Sequence, residues 1–357
     1  MLILCGALIY INYFYLHSVS QQLTSFLPRL NIFLKTSRGL TSVVSMTDIL
    51  TLTMNPALDV LTFTEQVEST HKIRCGEVIK HPGGGGVNVA RVLHRLGAKC
   101  VAVFPQGGVT GERHHHLLSQ EKVRCHSVAI TEETRESFSV HEARSGHDFR
   151  FVLPGPTLST REYEACFDYV AQHLPKQFLV ISGGLAPGVP TDFYARLVAL
   201  AKQHNVKVVL DANGPALSLA LQQTGVYFFK PSLRELQELT GEDLPNDAAC
   251  KTAAQHLIQS GQAKVVALSL GEQGAMLMSA TQAWRAPSLQ VDVQTTIGAG
   301  DSFVGGMVWA LSQSKPLDEA FRYGMAASAA ALRSPGTPLC EAHDVHRLLA
   351  QVVVHEI

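Results

Sequence analysis

The stretch Thr295-Thr296-Ile297-Gly298-Ala299-Gly300-Asp301-Ser302-Phe303 holds the residues best suited to chemistry. Three small residues precede an acid, and an apolar periodic segment follows at once with Phe303, Val304, Met307, Val308 and Leu311. That spacing describes a helix with one buried face. The Gly-Ala-Gly run then forms a tight turn whose backbone N–H groups point out of the helix N-terminus. Unpaired donors and the positive end of the helix dipole make an anion hole there. On its own, Asp301 has two readings: a helix cap, or a general base beside a bound phosphate.

A second glycine run lies far upstream, in His81-Pro82-Gly83-Gly84-Gly85-Gly86-Val87-Asn88. Glycines let backbone approach a ligand without interference from Cβ. Val89, Val92, Leu93 and Leu96 then mark a helical face, and Gly97 supplies its stop. A glycine loop feeding a helix can hold a polyol or a phosphate. It is neither a dinucleotide fingerprint nor a P-loop, since no G-x-x-x-x-G-K-[S/T] occurs in the chain. Asp59, in Asn55-Pro56-Ala57-Leu58-Asp59, is read just beyond the strand Ile49–Thr53, as a turn former or as a ligand for a substrate hydroxyl. Arg135 is either a rim charge or a grip for a substrate phosphate. The triplet His114-His115-His116 has no i, i+4 partner and reads as a solvated helix face rather than a metal site.

These groups need elements to position them. From Phe178 onward, short apolar runs alternate with helical stretches: Phe178–Ser182, Val206–Asp211, Val226–Lys230 and Val265–Leu270. Continuous runs of this kind predict a parallel sheet covered on both faces, an α/β fold. Each run ends in a polar or glycine-rich corner, and such corners gather at one sheet edge. Residues 123–152 predict short alternating strands, Cys125–Ile130, Ser137–His141 and Phe149–Val152, with a hairpin turn at Ser145–Asp148. Lys72 to Lys80 suggests a small edge sheet, and Ala326–Leu332 a buried alanine-rich helix.

The chain has 357 residues, 46% apolar and 17% charged, with net charge −1. A large core is possible, and no basic excess argues for nucleic acid. Seven scattered cysteines without a C-x-x-C pair fit reduced thiols in the cytoplasm. Leu2 to Leu16 is apolar but short for a membrane span, and no Lys or Arg precedes Arg29. Met46 is therefore expected as the working start, with residues 1–45 an extension outside the fold; a membrane anchor is the alternative. Residues 46–357 are expected to form the functional domain.

The two signatures, Thr296–Phe303 and Pro82-Gly83-Gly84-Gly85-Gly86-Val87-Asn88-Val89-Ala90-Arg91, resemble those of the ribokinase-like (PfkB) sugar kinases. The resemblance runs from about Ile49 to the C-terminal helix. It implies a three-layer α/β/α sandwich with a mostly parallel sheet and a small β-sheet lid, its strands drawn from about 60–80 and 123–153. It implies that Asp301 takes the proton from a sugar hydroxyl while the N–H groups of Ala299 and Gly300 face the transferred phosphate, with Gly298 in the same catalytic turn. It places Asp59, Gly84, Gly85 and Asn88 on sugar hydroxyls and Arg135 on a sugar phosphate. Lys72 and Arg74 match residues that reach the active site across a dimer formed by the lid, Lys72 towards ATP and Arg74 towards the sugar. Lys230, Ser232, Ser269, Gly271, Gly274 and Thr296 are assigned to ATP, and Glu235 to Mg2+ through water.

Three departures from the family pattern stand out: Ser232 replaces a usual Asn, Gly184 a usual Ser, and Pro338 an Arg near a loop that binds monovalent cations. A K+ site is thus left open. Gly85 stands where kinases for fructose 1-phosphate and tagatose 6-phosphate carry Lys, so the resemblance favours ATP and fructose 6-phosphate as substrates. A non-catalytic sugar-phosphate sensor is the reading from another class. A dehydrogenase lacks its fingerprint.

Overall fold

A computed structural model describes residues 47–334 and 339–357. Its strands are β1 (Ile49–Leu52), β2 (Ala57–Thr64), β3 (Ile79–Gly83), β4 (Cys100–Gln106), β5 (Cys125–Ala129), β6 (Arg135–Glu142) and β7 (Asp148–Val152). There follow β8 (Phe178–Ser182), β9 (Lys207–Asp211), β10 (Val226–Phe229), β11 (Ala263–Ser269), β12 (Ala275–Met278), β13 (Ala283–Ala286) and β14 (His355–Glu356). The helices are α1 (Gly85–Arg95), α2 (Gly108–Gln120), α3 (Thr160–Gln172), α4 (Phe193–Gln203) and α5 (Gly214–Gln222). The chain continues with α6 (Leu233–Thr240), α7 (Asp247–Gln259), α8 (Ala299–Ser312), α9 (Leu317–Leu332) and α10 (Ala342–Leu349).

The apolar runs bury both of their faces, which is why they lack a two-residue polar alternation. In β8, Phe178 and Val180 join the core beneath α1, α8 and α9; Leu179 and Ile181 join the core beneath α3 to α7. The same division splits Val209 from Val208 and Leu210, and Val265 and Ala267 from Val266 and Leu268. Burying one such Val, Leu or Ile contributes about 1.5–3 kcal/mol, so two filled faces fix the register of the sheet. Ten strands line up as β14-β13-β12-β11-β10-β9-β8-β1-β4-β5. The run from β11 to β5 is parallel, and β12 to β14 are antiparallel additions at one edge. This is the expected α/β/α sandwich.

The small sheet is β3-β2-β6-β7. The hairpin at Ser145–Asp148 joins β6 to β7, with Gly146 at φ 72°. Two expectations fail here. Cys125–Ala129 is not a lid strand: β5 pairs in parallel with β4 at the edge of the main sheet. Parallel neighbours need a crossover, and α2 supplies it. Alternation alone cannot tell the two sheets apart. Residues 65–78 contain no strand, and β3 begins only at Ile79.

The readings of residues 1–45, Met46 and Pro338 lie outside the described residues. No helix among the described residues is long and apolar enough to cross a membrane.

Candidate active site

Ser182, Asp211, Lys230 and Ser269 stand at or just beyond the carboxyl ends of parallel strands, as expected. Above them lies a cleft of about 390 Å³. It brings together Asp59, Gly84, Gly85, Asn88, Arg135, Glu235 and Asp301 from segments far apart in the chain.

The cap reading of Asp301 fails on geometry. Gly298, at φ 74°, is the N-cap of α8, and no side chain caps this helix. The first intrahelical bond runs from the Ser302 N–H to the Gly298 carbonyl at 2.8 Å. The N–H groups of Ala299 and Gly300 precede it and have no carbonyl in the helix to bond. The Asp301 carboxylate instead accepts a hydrogen bond from Asn88 Nδ2, at 2.8 Å. Burial pushes its pKa up to about 6, helped by the negative charges of Asp211 and Asp59 and opposed by Asn88 and Lys230. A carboxylate poised there is half ionised near pH 6, in the range where a general base works well.

Buried Lys230 lies beside this helix mouth: a Cβ built on Gly300 would come 3.8 Å from its Nζ. Its ammonium is 3.2 Å from an Asp211 oxygen. Burial opposes its charge, yet Asp211, Glu235 and Asp301 together hold its pKa above the usual range. Helix donors and an ammonium thus converge where a phosphate could sit.

Asp59 does not follow a strand end; it is the third residue of β2, opposite His81 and Ser137. The chain leaves β1 and re-enters a strand after residues 53–56, so the turn at Asn55-Pro56 is shorter than expected. Burial pushes Asp59 up to about 6, with Arg150, Arg91 and Arg135 pulling the other way. The Arg135 fork donates to the carbonyls of Leu153 and Asn55, both at 3.1 Å. Its buried Nε has no partner, nor has the neighbouring Asn55 Oδ1. Arg135 is therefore pinned at the cleft wall, not loose on a rim.

The histidine triplet is not a solvated face. His114 is 1% exposed, and its Nε2 lies 3.0 Å from the Gly83 carbonyl. Burial lowers its pKa to about 4, so the ring is neutral and Nε2–H donates to that carbonyl. The helix α2 lies against β3, which turns one member of the triplet inward.

Not every expected residue lines the cleft. Lys72 and Arg74 are exposed on the 65–78 loop and do not reach the cleft of their own chain. Thr296 is exposed just before α8. Ser269 donates to the Pro231 carbonyl, at 3.3 Å from Oγ. Gly271 has open space around its Cα, whereas a Cβ on Gly274 would lie 2.2 Å from the Ala286 carbonyl, so Gly274 is required for packing. Ser232 caps α6: its Oγ accepts from the Glu235 N–H at 3.3 Å, and in return its Oγ and N–H face Glu235 Oε2 as donors, at 2.9 and 2.7 Å. No described residue bonds Glu235 Oε1. No group of three or more His, Cys, Asp or Glu among the described residues could hold a metal by itself. A lone carboxylate with a free oxygen suits magnesium, which keeps its waters and leans on substrate phosphates.

The pfkB family carbohydrate kinase model matches residues 52–344. The chain belongs to this family. It is 41% identical over 300 residues to the ATP-dependent 6-phosphofructokinase isozyme 2 of Mycobacterium tuberculosis, covering 84% of this chain and 88% of that one. Phosphofructokinase-2 from Escherichia coli in complex with fructose-6-phosphate superimposes with a TM-score of 0.81 at 37% identity, covering 86% of this chain and 99% of that one. Further structures of that enzyme are with potassium (TM-score 0.82, 38% identity, 86% and 99% covered) and in a tetrameric inhibited form (0.80, 38%, 86% and 99%).

Sequence reasoning passed over two charged residues of this pfkB kinase cleft. Arg150 lines it, with its charge acting on Asp59. Its signal was present: Asp148, Arg150 and Val152 alternate onto one face of β7, and Ser139, opposite Arg150, follows Ser137 on β6. Asp211 was noted as a strand-end corner but given no part. An acid directly after the apolar run Val208-Val209-Leu210, at the end of a parallel strand, was the available clue.

Proposed function

We infer that the protein is an ATP-dependent 6-phosphofructokinase. The C1 hydroxyl of fructose 6-phosphate attacks the γ-phosphorus of ATP, the bond from that phosphorus to the β,γ-bridging oxygen breaks, and fructose 1,6-bisphosphate and ADP leave. The observation that carries this reading is the Asp301 carboxylate, held by Asn88 at the unpaired start of α8 and facing the cleft. It takes the hydroxyl proton as the oxygen attacks. The N–H groups of Ala299 and Gly300, with Lys230, meet the charge on the moving phosphoryl group.

Asp59, Asn88 and the backbone of Gly84 and Gly85 hold the sugar. Arg135 and Arg150 take its 6-phosphate, a dianion that suits a guanidinium fork. Ser269, Gly271, Gly274 and Thr296 border the nucleotide, and Ser232 shapes that wall through its cap. Glu235 would hold magnesium through water, and the ion would supply charge neutralisation for the nucleotide. A second copy sits on the exposed apolar side of the lid, near Phe63, Val78 and Phe151, and brings its own Lys72 and Arg74 to the site. Free thiols at every described cysteine fit a reducing cytoplasm.

The test is Asp301→Asn. Its kcat is expected to fall by about three orders of magnitude or more while calorimetry still detects ATP binding. Turnover within about tenfold of wild type removes the base assignment. A coupled assay for ADP with fructose 6-phosphate, fructose 1-phosphate and tagatose 6-phosphate fixes the acceptor. Binding without ADP release from any of them marks a sensor.

A further inference from the structure

Behind the cleft, and not among the residues that line it, lies a guanidinium with no exposed surface. Arg91 is on α1 one turn after Asn88 and is 0% exposed. Its Nη1 donates to the Pro82 carbonyl at 3.1 Å and to Asn88 Oδ1 at 3.3 Å. Its Nε donates to both Glu121 oxygens, at 3.1 and 2.9 Å, and Nη2 donates to Oε1 at 2.5 Å. Glu121 closes the end of α2 and also meets Arg95 at 3.5 Å. A buried guanidinium is tolerated only when paired and fully bonded, and Glu121 meets that condition.

The hydrogen-bond polarity along this chain admits one arrangement. A guanidinium has donors and no acceptor, so the oxygen of the Asn88 amide must face Arg91. The amide nitrogen then faces Asp301, and a carboxylate can only accept from it. With the amide turned over, oxygen would oppose carboxylate oxygen and nitrogen would oppose the guanidinium.

We propose that Arg91 is a positioning residue for Asp301: anchored by Glu121, it sets the Asn88 amide with its donor end on the base. The proposal rests on reading Asp301 as that base. The donated bond favours the ionised carboxylate against its burial. The other charged groups facing Asp301 are Asp211 from β9, Lys230 beyond β10 and Asp59 from β2. Those around Arg91 and Glu121 are Arg95 from α1, His81 from β3, and Asp59 and His114 across the glycine loop.

Two variants separate positioning from a simple field effect. Arg91→Lys keeps the charge but cannot span Glu121, Pro82 and Asn88 at once. Glu121→Gln removes a negative charge, which through the field alone would lower the Asp301 pKa, but it also loosens the anchor. Positioning predicts that the Asp301 titration midpoint rises in both, by about half a unit to one unit. The direct measurement is carbon-13 carboxyl titration of Asp301 without substrate, assigned by its loss in Asp301→Asn. With fructose 6-phosphate and MgATP, kcat/KM is expected to drop about two- to fivefold at pH 6 and less than twofold at pH 8.5.

A midpoint that stays put in Arg91→Lys, or falls in Glu121→Gln, overturns the proposal. So does a kcat/KM lowered equally at every pH, which marks a merely structural arginine. Thermal melting identifies a variant that fails to fold, and the other variant then decides. If wild type releases no ADP with any sugar phosphate, the functional reading fails, while the substrate-free titration still decides the role of Arg91.

Discussion

The two glycine loops read alike in sequence but differ in what surrounds them. In the first, the space a side chain would need is already taken by protein. A Cβ on Gly83 would lie 2.1 Å from an Asp59 oxygen, on Gly85 2.3 Å from the Ser182 hydroxyl, and on Gly86 2.6 Å from the Leu52 carbonyl. In the second, a Cβ on Gly300 meets nothing nearer than Lys230 Nζ at 3.8 Å. The first loop needs glycine so that α1, β1, β2 and β8 can close on one another. The second needs it for the left-handed turn at Gly298 and to leave room at Gly300 for something that is not protein. Glycine content alone therefore marks close approach without naming the partner.

The largest effect expected from this contrast is loss of the fold. Gly86→Ala drives a methyl into backbone that cannot step aside, and should cost about 3 kcal/mol or abolish soluble expression, read by chemical denaturation. Gly300→Ala should do the opposite to stability, keeping or slightly raising it because alanine favours a helix by up to about 1 kcal/mol. Its kcat should nevertheless fall by about tenfold or more, as the methyl enters the phosphate path. A Gly300→Ala enzyme with full kcat, or a Gly86→Ala protein with wild-type stability, would break the distinction.

The site itself is expected to carry a stability cost of intermediate size. Asp301 has its carboxyl raised to about 6 from an ordinary 3.8. The folded state therefore holds the proton more tightly than the unfolded chain in that interval. Stability falls as pH climbs from 3.8 to 6 and stays lower above it. Asp301→Asn should stabilise the protein by about 1–3 kcal/mol at pH 8, and the gain should vanish near pH 4. Melting curves across pH measure both ends.

The smallest effect concerns the position of a titration. The acid limb of kcat/KM should lie near pH 6, since the base of the free enzyme is protonated below its pKa. Asp211→Asn removes a negative neighbour and frees the charge of Lys230, so both changes favour ionised Asp301. The limb should move to lower pH, by about one unit, in a pH–rate profile taken well below saturating substrate. A limb displaced upward contradicts the charge arrangement described.

Much of this architecture was legible because it rests on short-range rules. The apolar runs identified β8 to β11 and the Phe303–Leu311 spacing identified α8, whereas only the family resemblance of the two signatures put Asn88 and Asp301, 213 positions apart, in one site. Three features were not legible, for reasons of tertiary contact. The sheet that β5 joins depends on α2 acting as a crossover, which the alternation of Cys125–Ala129 does not encode. The inward turn of His114 depends on β3 lying beneath its helix. Asp59 sits within a strand because β2 continues almost directly from β1 and finds partners in β3 and β6, both distant in sequence.

The short connection at residues 53–56 has a mechanical consequence. Asp59 rides on β2 and Arg135 on β6, its parallel neighbour, whereas Asp301 belongs to the sandwich. Two handles for the acceptor, Asp59 and Arg135, are thus mounted on the cover, whereas Asn88 and the base stand on the floor. Any swing about that hinge changes the distance between the two, so shutting the cover and delivering the acceptor to its base are a single movement.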